Sequence, residues 1–131
     1  MPLVLLGSLL AVRGLLFAHH GSAAYKTDTV VVLKNATVTR FVWANPHAVV
    51  IFDVKDDKGN VSHWAGEAGS PSAIRVLGWT KNSLRPGDVV TVHLYPSKFS
   101  STVGRIEKIT LEDGTTLKDS PRGDRGVISR Y

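Results

Sequence analysis

Between Thr27 and Leu117 the chain alternates apolar and polar residues with a period near two, and Gly, Pro, Asn and Asp interrupt it at short intervals. That is the pattern of half-buried strands joined by tight turns. "TVVVLKNATVTRFVWAN" is rich in Val and Thr and predicts a first strand; "HAVVIFDV", bounded by Pro46 and the turn "DDKG", predicts a second. After Gly59, "NVSHWAGEA" returns as a third strand of a meander. "GSPSAIRVLGW" then changes period. Ser70 is placed as an N-cap, Pro71 suits the first helical position, and Gly78 suits a left-handed C-terminus, so a helix of about two turns is expected. In "NSLRPGDVVTVHLYP" a Pro-Gly-Asp turn leads to strand four, where Val90, Val92 and Leu94 alternate with Thr91, His93 and Tyr95. "VGRIEKITLEDGTTLKD" predicts strand five and an Asp113-Gly114 hairpin returning through Thr115 to Leu117.

Three meandering strands, a helix and further strands is the element order of an OB-type barrel. The expected fold is therefore mainly β: a small, five- to six-stranded OB-like barrel with one short helix between strands three and four. With 131 residues the chain suffices for one domain, assigned to residues 19–118.

The first eighteen residues, "MPLVLLGSLLAVRGLLFA", break the pattern: they hold no acid and one base, Arg13. An apolar run ending in Ala18, with Leu16 at the third position back, reads as a signal peptide cut after Ala18. Arg13 and Gly14 interrupt a run already short for a membrane span, so no stable span is expected after cleavage. The mature domain is expected in the periplasm or outside the cell. It holds no cysteine, so its core alone must stabilise it. Removing residues 1–18 lowers the formal charge only from +5 to +4. Lys118, Arg122, Arg125 and Arg130 lie near the C-terminus beside Gly, Pro, Ser and Asp, so residues 119–131 read as a polar, disordered tail. Bases that do not cluster with aromatics, on an exported domain, argue against nucleic-acid binding.

The candidate chemistry lies in the histidines. Cleavage after Ala18 gives His19 a free α-amine beside its own imidazole, and the two nitrogens can chelate one ion. Such ligands suit Cu(II), at the head of the Irving–Williams order, and zinc less well. His47, after the Asn45-Pro46 turn, is the candidate third ligand from the barrel rim; Glu67 and His20 are optional further ligands. Against this stand plainer roles: a disordered His19-His20 terminus, a His47 that bonds only its turn, and a Glu67 that favours the positive end of the following helix. His63 and His93, on strand positions, read as exposed or structural. Trp43, Trp64 and Trp79 with Asn45 are a candidate contact surface for another envelope protein, with core packing as the alternative for the tryptophans. No nucleophile elbow, phosphate loop or carboxylate pair of diagnostic spacing is present, so an enzyme is not expected.

"HHGSAAY", "LKNATVTRFVWANPHAVVIFDVKDDKGNV", "HWAGEAGSPSAIRVLGWTKNSLRPGD" and "VTVHLYPSK" followed by "ITLEDGTTL" stand in one order. In these the chain resembles a family of small secreted bacterial proteins catalogued as domain of unknown function 6152, over about residues 19 to 117. The resemblance implies a leader and a small β-rich domain, with no assigned activity. The matching positions are His19, His20, Asn45, Pro46, His47, Trp64, Glu67, Ser70, Gly78, Trp79, Pro86, Gly87 and Asp88. Two features depart from the family: the leader lacks a basic start, and "YPSKFSSTVG" stands where a Gly-containing loop is expected.

Overall fold

A computed structural model describes residues 22–121. A 3₁₀ turn at Ser22–Ala24 leads into β1 (Val31–Val42), β2 (Val49–Lys55), β3 (Val61–Glu67), α1 (Pro71–Arg75), β4 (Val89–Pro96), β5 (Val103–Leu111) and β6 (Thr116–Lys118). The hydrogen-bonded order is β3-β2-β1-β4-β5-β6, and a further pairing of β3 with β5 closes five of these strands into a barrel. The OB-like element order read from the sequence is thus the observed one, with β6 as an extra edge strand.

Strand β1 is long because it serves both halves of the barrel. Its first half pairs with β4 and its second with β2, Thr37 facing Val89 on one side and Asp53 on the other. The register shifts between Leu33 and Ala36, where Asn35 takes φ 53°, and again between Val38 and Arg40. Such bulges bend a strand enough for it to turn from one sheet into the next, and Asn tolerates the left-handed region better than most residues.

The seam that closes the barrel is the parallel pairing Ala65↔Val103, Gly66↔Gly104, Glu67↔Arg105. Two glycines meet at its centre because both point inward and neither has room for a side chain. A Cβ on Gly66 would lie 2.8 Å from Ile106 Cγ1, and one on Gly104 would lie 2.5 Å from Leu94 Cδ1 and 2.8 Å from the Tyr95 carbonyl oxygen. Because side chains alternate along a strand, Glu67 and Arg105 then point outward, side by side, on the outer surface of the seam.

The core is built from the inward positions: Val38, Val50 and Phe52, then Val90, Val92 and Leu94, then Ile106 and Ile109, all buried. Ile74 and Trp79, flanking the end of α1, are fully buried and close one end of the barrel. The helix is shorter than the two turns expected. Ser70 caps it, its hydroxyl accepting the Ala73 N–H at 3.3 Å. At the other end Gly78 takes φ 97°, and N–H groups of Gly78 and Trp79 bond to the carbonyls of Arg75 and Ile74. This is the Schellman pattern, and it presses Trp79 onto Ile74. Of the expected polar tail, Ser120 and Pro121 are exposed. Asp119 instead is fixed to the barrel, and residues 122–131 lie outside the described residues.

Candidate functional site

The outward side chains of the seam gather partners from four other parts of the chain. Glu67 Oε1 lies 3.5 Å from His47 Nε2 and 3.6 Å from Arg105 Nη1, and Glu67 Oε2 accepts the Tyr25 hydroxyl at 2.9 Å. Arg105 donates through Nε and Nη2 to Asp119 Oδ2, at 3.0 and 2.8 Å. Asp119 Oδ1 in turn accepts the Gly69 N–H at 2.6 Å.

Each residue is placed by local structure. His47 follows the cis Asn45-Pro46 bond in the β1–β2 turn, one residue before the inward-facing, buried Ala48. The backbone of Ala48 bonds to both Ala68 and Gly69, which holds the His47 turn against the end of β3. Tyr25 forms an isolated bridge to Ser97, and the Lys26 N–H donates to the Pro96 carbonyl, so the N-terminal segment lies along the β4–β5 connection. Asp119 arrives through the β5–β6 hairpin, where its N–H donates to the Glu107 carbonyl.

The imidazole is oriented by a group that can only accept. His47 Nδ1 lies 3.1 Å from the Ala68 carbonyl oxygen, so the proton sits on Nδ1 and Nδ1 donates. In the neutral ring Nε2 then carries a lone pair aimed toward a carboxylate oxygen. Two acceptors facing at 3.5 Å repel, and the positive charge that offsets this can be a proton on Nε2, a metal ion, or the Arg105 guanidinium 3.6 Å from the same oxygen. A backbone carbonyl on one ring nitrogen is also the usual outer support of a metal-ligating histidine.

Burial and the neighbouring carboxylate set the protonation of the rest. Burial first, then the hydrogen bond to Glu67 and its charge, push the Tyr25 phenol up to about 12, against the pull of Arg105. Tyr25 is therefore a hydrogen-bond donor at neutral pH. Burial also raises Asp119 above the usual carboxylate range, outweighing Arg105, the Gly69 N–H and the charge of His47.

A family model described as "Family of unknown function (DUF6152)" matches residues 8–106. The chain belongs to this family. No curated protein matches it.

In this DUF6152 chain two of the four candidate ligands, His47 and Glu67, lie 3.5 Å apart. His19 and His20, the other two candidate ligands, lie outside the described residues. Among the described residues no group of three or more His, Asp or Glu side chains is arranged to hold a metal ion. The tryptophans divide. Trp79 is fully buried and its indole N–H donates to the Lys118 carbonyl at 2.8 Å, which removes it from any contact surface and makes it core. Trp43 and Trp64 are half-buried, Trp43 edge-on to Phe41 and Trp64 stacked on Phe52, while Asn45 is exposed. His63 is exposed and donates through Nδ1 to Asp53 Oδ1 at 2.6 Å.

Sequence reasoning missed Tyr25, Arg105 and Asp119. The alternation in "VGRIEKI" does put Arg105 on the outer face, but only the parallel pairing with β3 sets it beside Glu67.

Proposed function

We propose that this chain is an exported, non-enzymatic domain that binds a divalent metal ion, Cu(II) before zinc, at His47 and Glu67. The α-amine and imidazole of His19 complete the site after residues 1–18 are removed, with His20 as a further ligand. The observation that carries this reading is the approach of His47 Nε2 and Glu67 Oε1 to 3.5 Å, with His47 Nδ1 set against the Ala68 carbonyl. That separation is one a single ion can span with bonds of about 2.0–2.2 Å to each atom.

Tyr25 supports the participation of the N-terminus. Its hydroxyl bonds the same carboxylate, so residue 25 lies within the reach of one side chain from the site. Six residues extend to about 20 Å, enough for His19 to fold back onto Glu67 and His47. Copper comes first because an amine and two imidazoles with a carboxylate oxygen are the ligands it prefers, and because it heads the affinity order. Such a site belongs in the periplasm or outside the cell, where a leader peptide is removed.

The test is Cu(II) binding followed by EPR on the mature protein and on a form with one Gly preceding His19. The proposal expects a one-to-one site with nitrogen hyperfine structure in the first and its loss or replacement in the second. Identical spectra and affinities in both forms would overturn the His19 chelate, and a mature protein that holds Cu(II) no more tightly than a free peptide of residues 19–25 would overturn the site altogether, in favour of a metal-free contact module built on Trp43, Asn45 and Trp64.

A further inference from the structure

We propose that the α1 end of the barrel docks peripherally on an anionic lipid surface, through Arg40, Arg75, Lys81 and Arg85 around Val76 and Trp43. The docking needs no metal ion and stands apart from the His47 and Glu67 pair. Residues 36–48 and 68–88, which build this end, contain those four bases and one acid, Asp88. All four bases are exposed, and the Asp88 carboxylate is occupied in its own turn, where it accepts the Arg85 N–H at 2.8 Å. Of the other acids, Glu67 and Asp119 are held at the seam, and Glu112 and Asp113 sit at the β5–β6 turn, with β4 between β5 and β1.

Bases and apolar side chains share this end because their segments are tied together. The Val38 N–H donates to the Asp88 carbonyl at 2.8 Å and the Gly87 N–H to the Val38 carbonyl at 2.7 Å, so the approach to β4 runs beside the part of β1 that leads to Arg40. The Ala48 N–H donates to the Gly69 carbonyl, which sets the β1–β2 turn beside the start of α1. Trp43 lies edge-on to Phe41, with ring centroids 5.9 Å apart, and Phe41 packs on Trp79 at 6.0 Å, at the foot of the turn that carries Val76. Val76, the C-cap of α1, is 83 % exposed.

An apolar side chain held outward among bases matches the boundary of a bilayer. Entering the acyl region takes Val76 out of water, a half-buried tryptophan suits the headgroup level, and each base gains from the negative potential of the surface. A second copy of the chain would set the same four bases against one another, which repels. Nucleic acid would engage the bases through its phosphates but gain nothing from Val76.

The experiment is co-sedimentation of the mature chain with vesicles of phosphatidylcholine alone and of phosphatidylcholine mixed with phosphatidylglycerol, with a chelator present throughout. Every variant keeps residues 122–131, so differences belong to the named side chains. Wild type is expected to bind the mixed vesicles, less so in high salt, and to leave the neutral ones. Arg40→Gln combined with Arg85→Gln is expected to weaken binding about twentyfold or more, about fivefold for each base. Val76→Ser is expected to lose about threefold or more. Phe99, equally exposed at 83 %, lies in the β4–β5 loop at the other end of the barrel, so Phe99→Ser should stay within about twofold of wild type. Equal binding to both kinds of vesicle, or none to either, would overturn the proposal. So would wild-type binding by the double Arg variant, or a loss in Phe99→Ser as large as that in Val76→Ser. A chain that ignores vesicles yet binds a single-stranded oligonucleotide, through Arg40 and Arg85 but not Val76, would overturn it in favour of a nucleic-acid face.

Discussion

Replacing Gly104 by alanine tests both the closure of the barrel and the placement of Arg105. The added Cβ would lie 2.5 Å from Leu94 Cδ1, 3.1 Å from Leu94 Cγ and 2.8 Å from the Tyr95 carbonyl oxygen. Carbon atoms pack at about 3.5–4.0 Å, so about an ångström must be found. Leu94 is fully buried and cannot swing into solvent, and the Tyr95 carbonyl belongs to the strand that pairs with β5. Only a displacement of β5 from β4 relieves the clash, and Gly66 sits directly across the seam on the other side. Overpacking of this kind costs typically 1–3 kcal/mol, and the backbone contact places Gly104→Ala near the upper end, at about 3 kcal/mol. Gly66→Ala is the internal control. Its Cβ would meet side-chain atoms and no carbonyl: Ile106 Cγ1 and Cδ1 at 2.8 and 2.9 Å, then Phe52 Cε1 at 3.5 Å. Ile106 is as buried as Leu94, but no backbone atom is met, so the cost is expected nearer the lower end, at about 1 kcal/mol. Both variants lose less unfolded-chain entropy than wild type, an offset of about 0.4–1 kcal/mol that is common to the two. Urea denaturation resolves them, since about 3 kcal/mol with a slope of 1–3 kcal/mol/M moves the midpoint by one molar or more. A Gly104→Ala protein within about 0.5 kcal/mol of wild type, or less perturbed than Gly66→Ala, would refute the tight Gly–Gly seam.

Other consequences are measurable with single substitutions. Trp79→Ala empties the end of the barrel and strands the Lys118 carbonyl, so about 3–5 kcal/mol of stability should be lost, whereas Trp43→Ala, half-exposed, should cost less than about 2; equal losses in thermal unfolding would contradict the division of the two tryptophans. Because the folded-state value for Tyr25 lies above its unfolded 10.0, its contribution is complete below pH 10 and lost as pH rises toward 12; urea midpoints of wild type should fall across that window more steeply than those of Tyr25→Phe. Asp119 is also raised when folded, so its ionisation opposes folding above the ordinary carboxylate value. The stability of Asp119→Asn should therefore rise relative to wild type as the pH climbs from acid to neutral; circular dichroism melts across that range showing the opposite trend would contradict this.

Those features that depend on near neighbours in the chain were legible in the sequence. Alternation in "VVTVHLYP" correctly turned Val90, Val92 and Leu94 inward, and Ser70, Pro71 and Gly78 marked the ends of α1. The Asp113-Gly114 pair marked the last hairpin, with Gly114 at φ 85°. What depends on distant pairing was hidden. Nothing local in "WAGEAG" or "VGRIEK" announces that Gly66 and Gly104 meet, and with that seam unseen Arg105 could not be set beside Glu67. Asp119 was assigned to the tail because its neighbours are polar, yet its carboxylate finds a backbone N–H fifty positions earlier. Trp79 shows the same limit: a tryptophan after a glycine turn reads equally as rim or core until the helix end that buries it is known.

The central claim, that the barrel itself contributes ligands to an N-terminal chelate, is tested most directly by the Cu(II) dissociation constant of the mature chain set beside His47→Gln, Glu67→Gln and a free peptide of residues 19–25. The account predicts that the intact protein binds at least about a hundredfold more tightly than the peptide and that His47→Gln removes most of that gain, with Glu67→Gln losing a smaller part. A protein, both variants and a peptide that all hold copper with the same constant would contradict it.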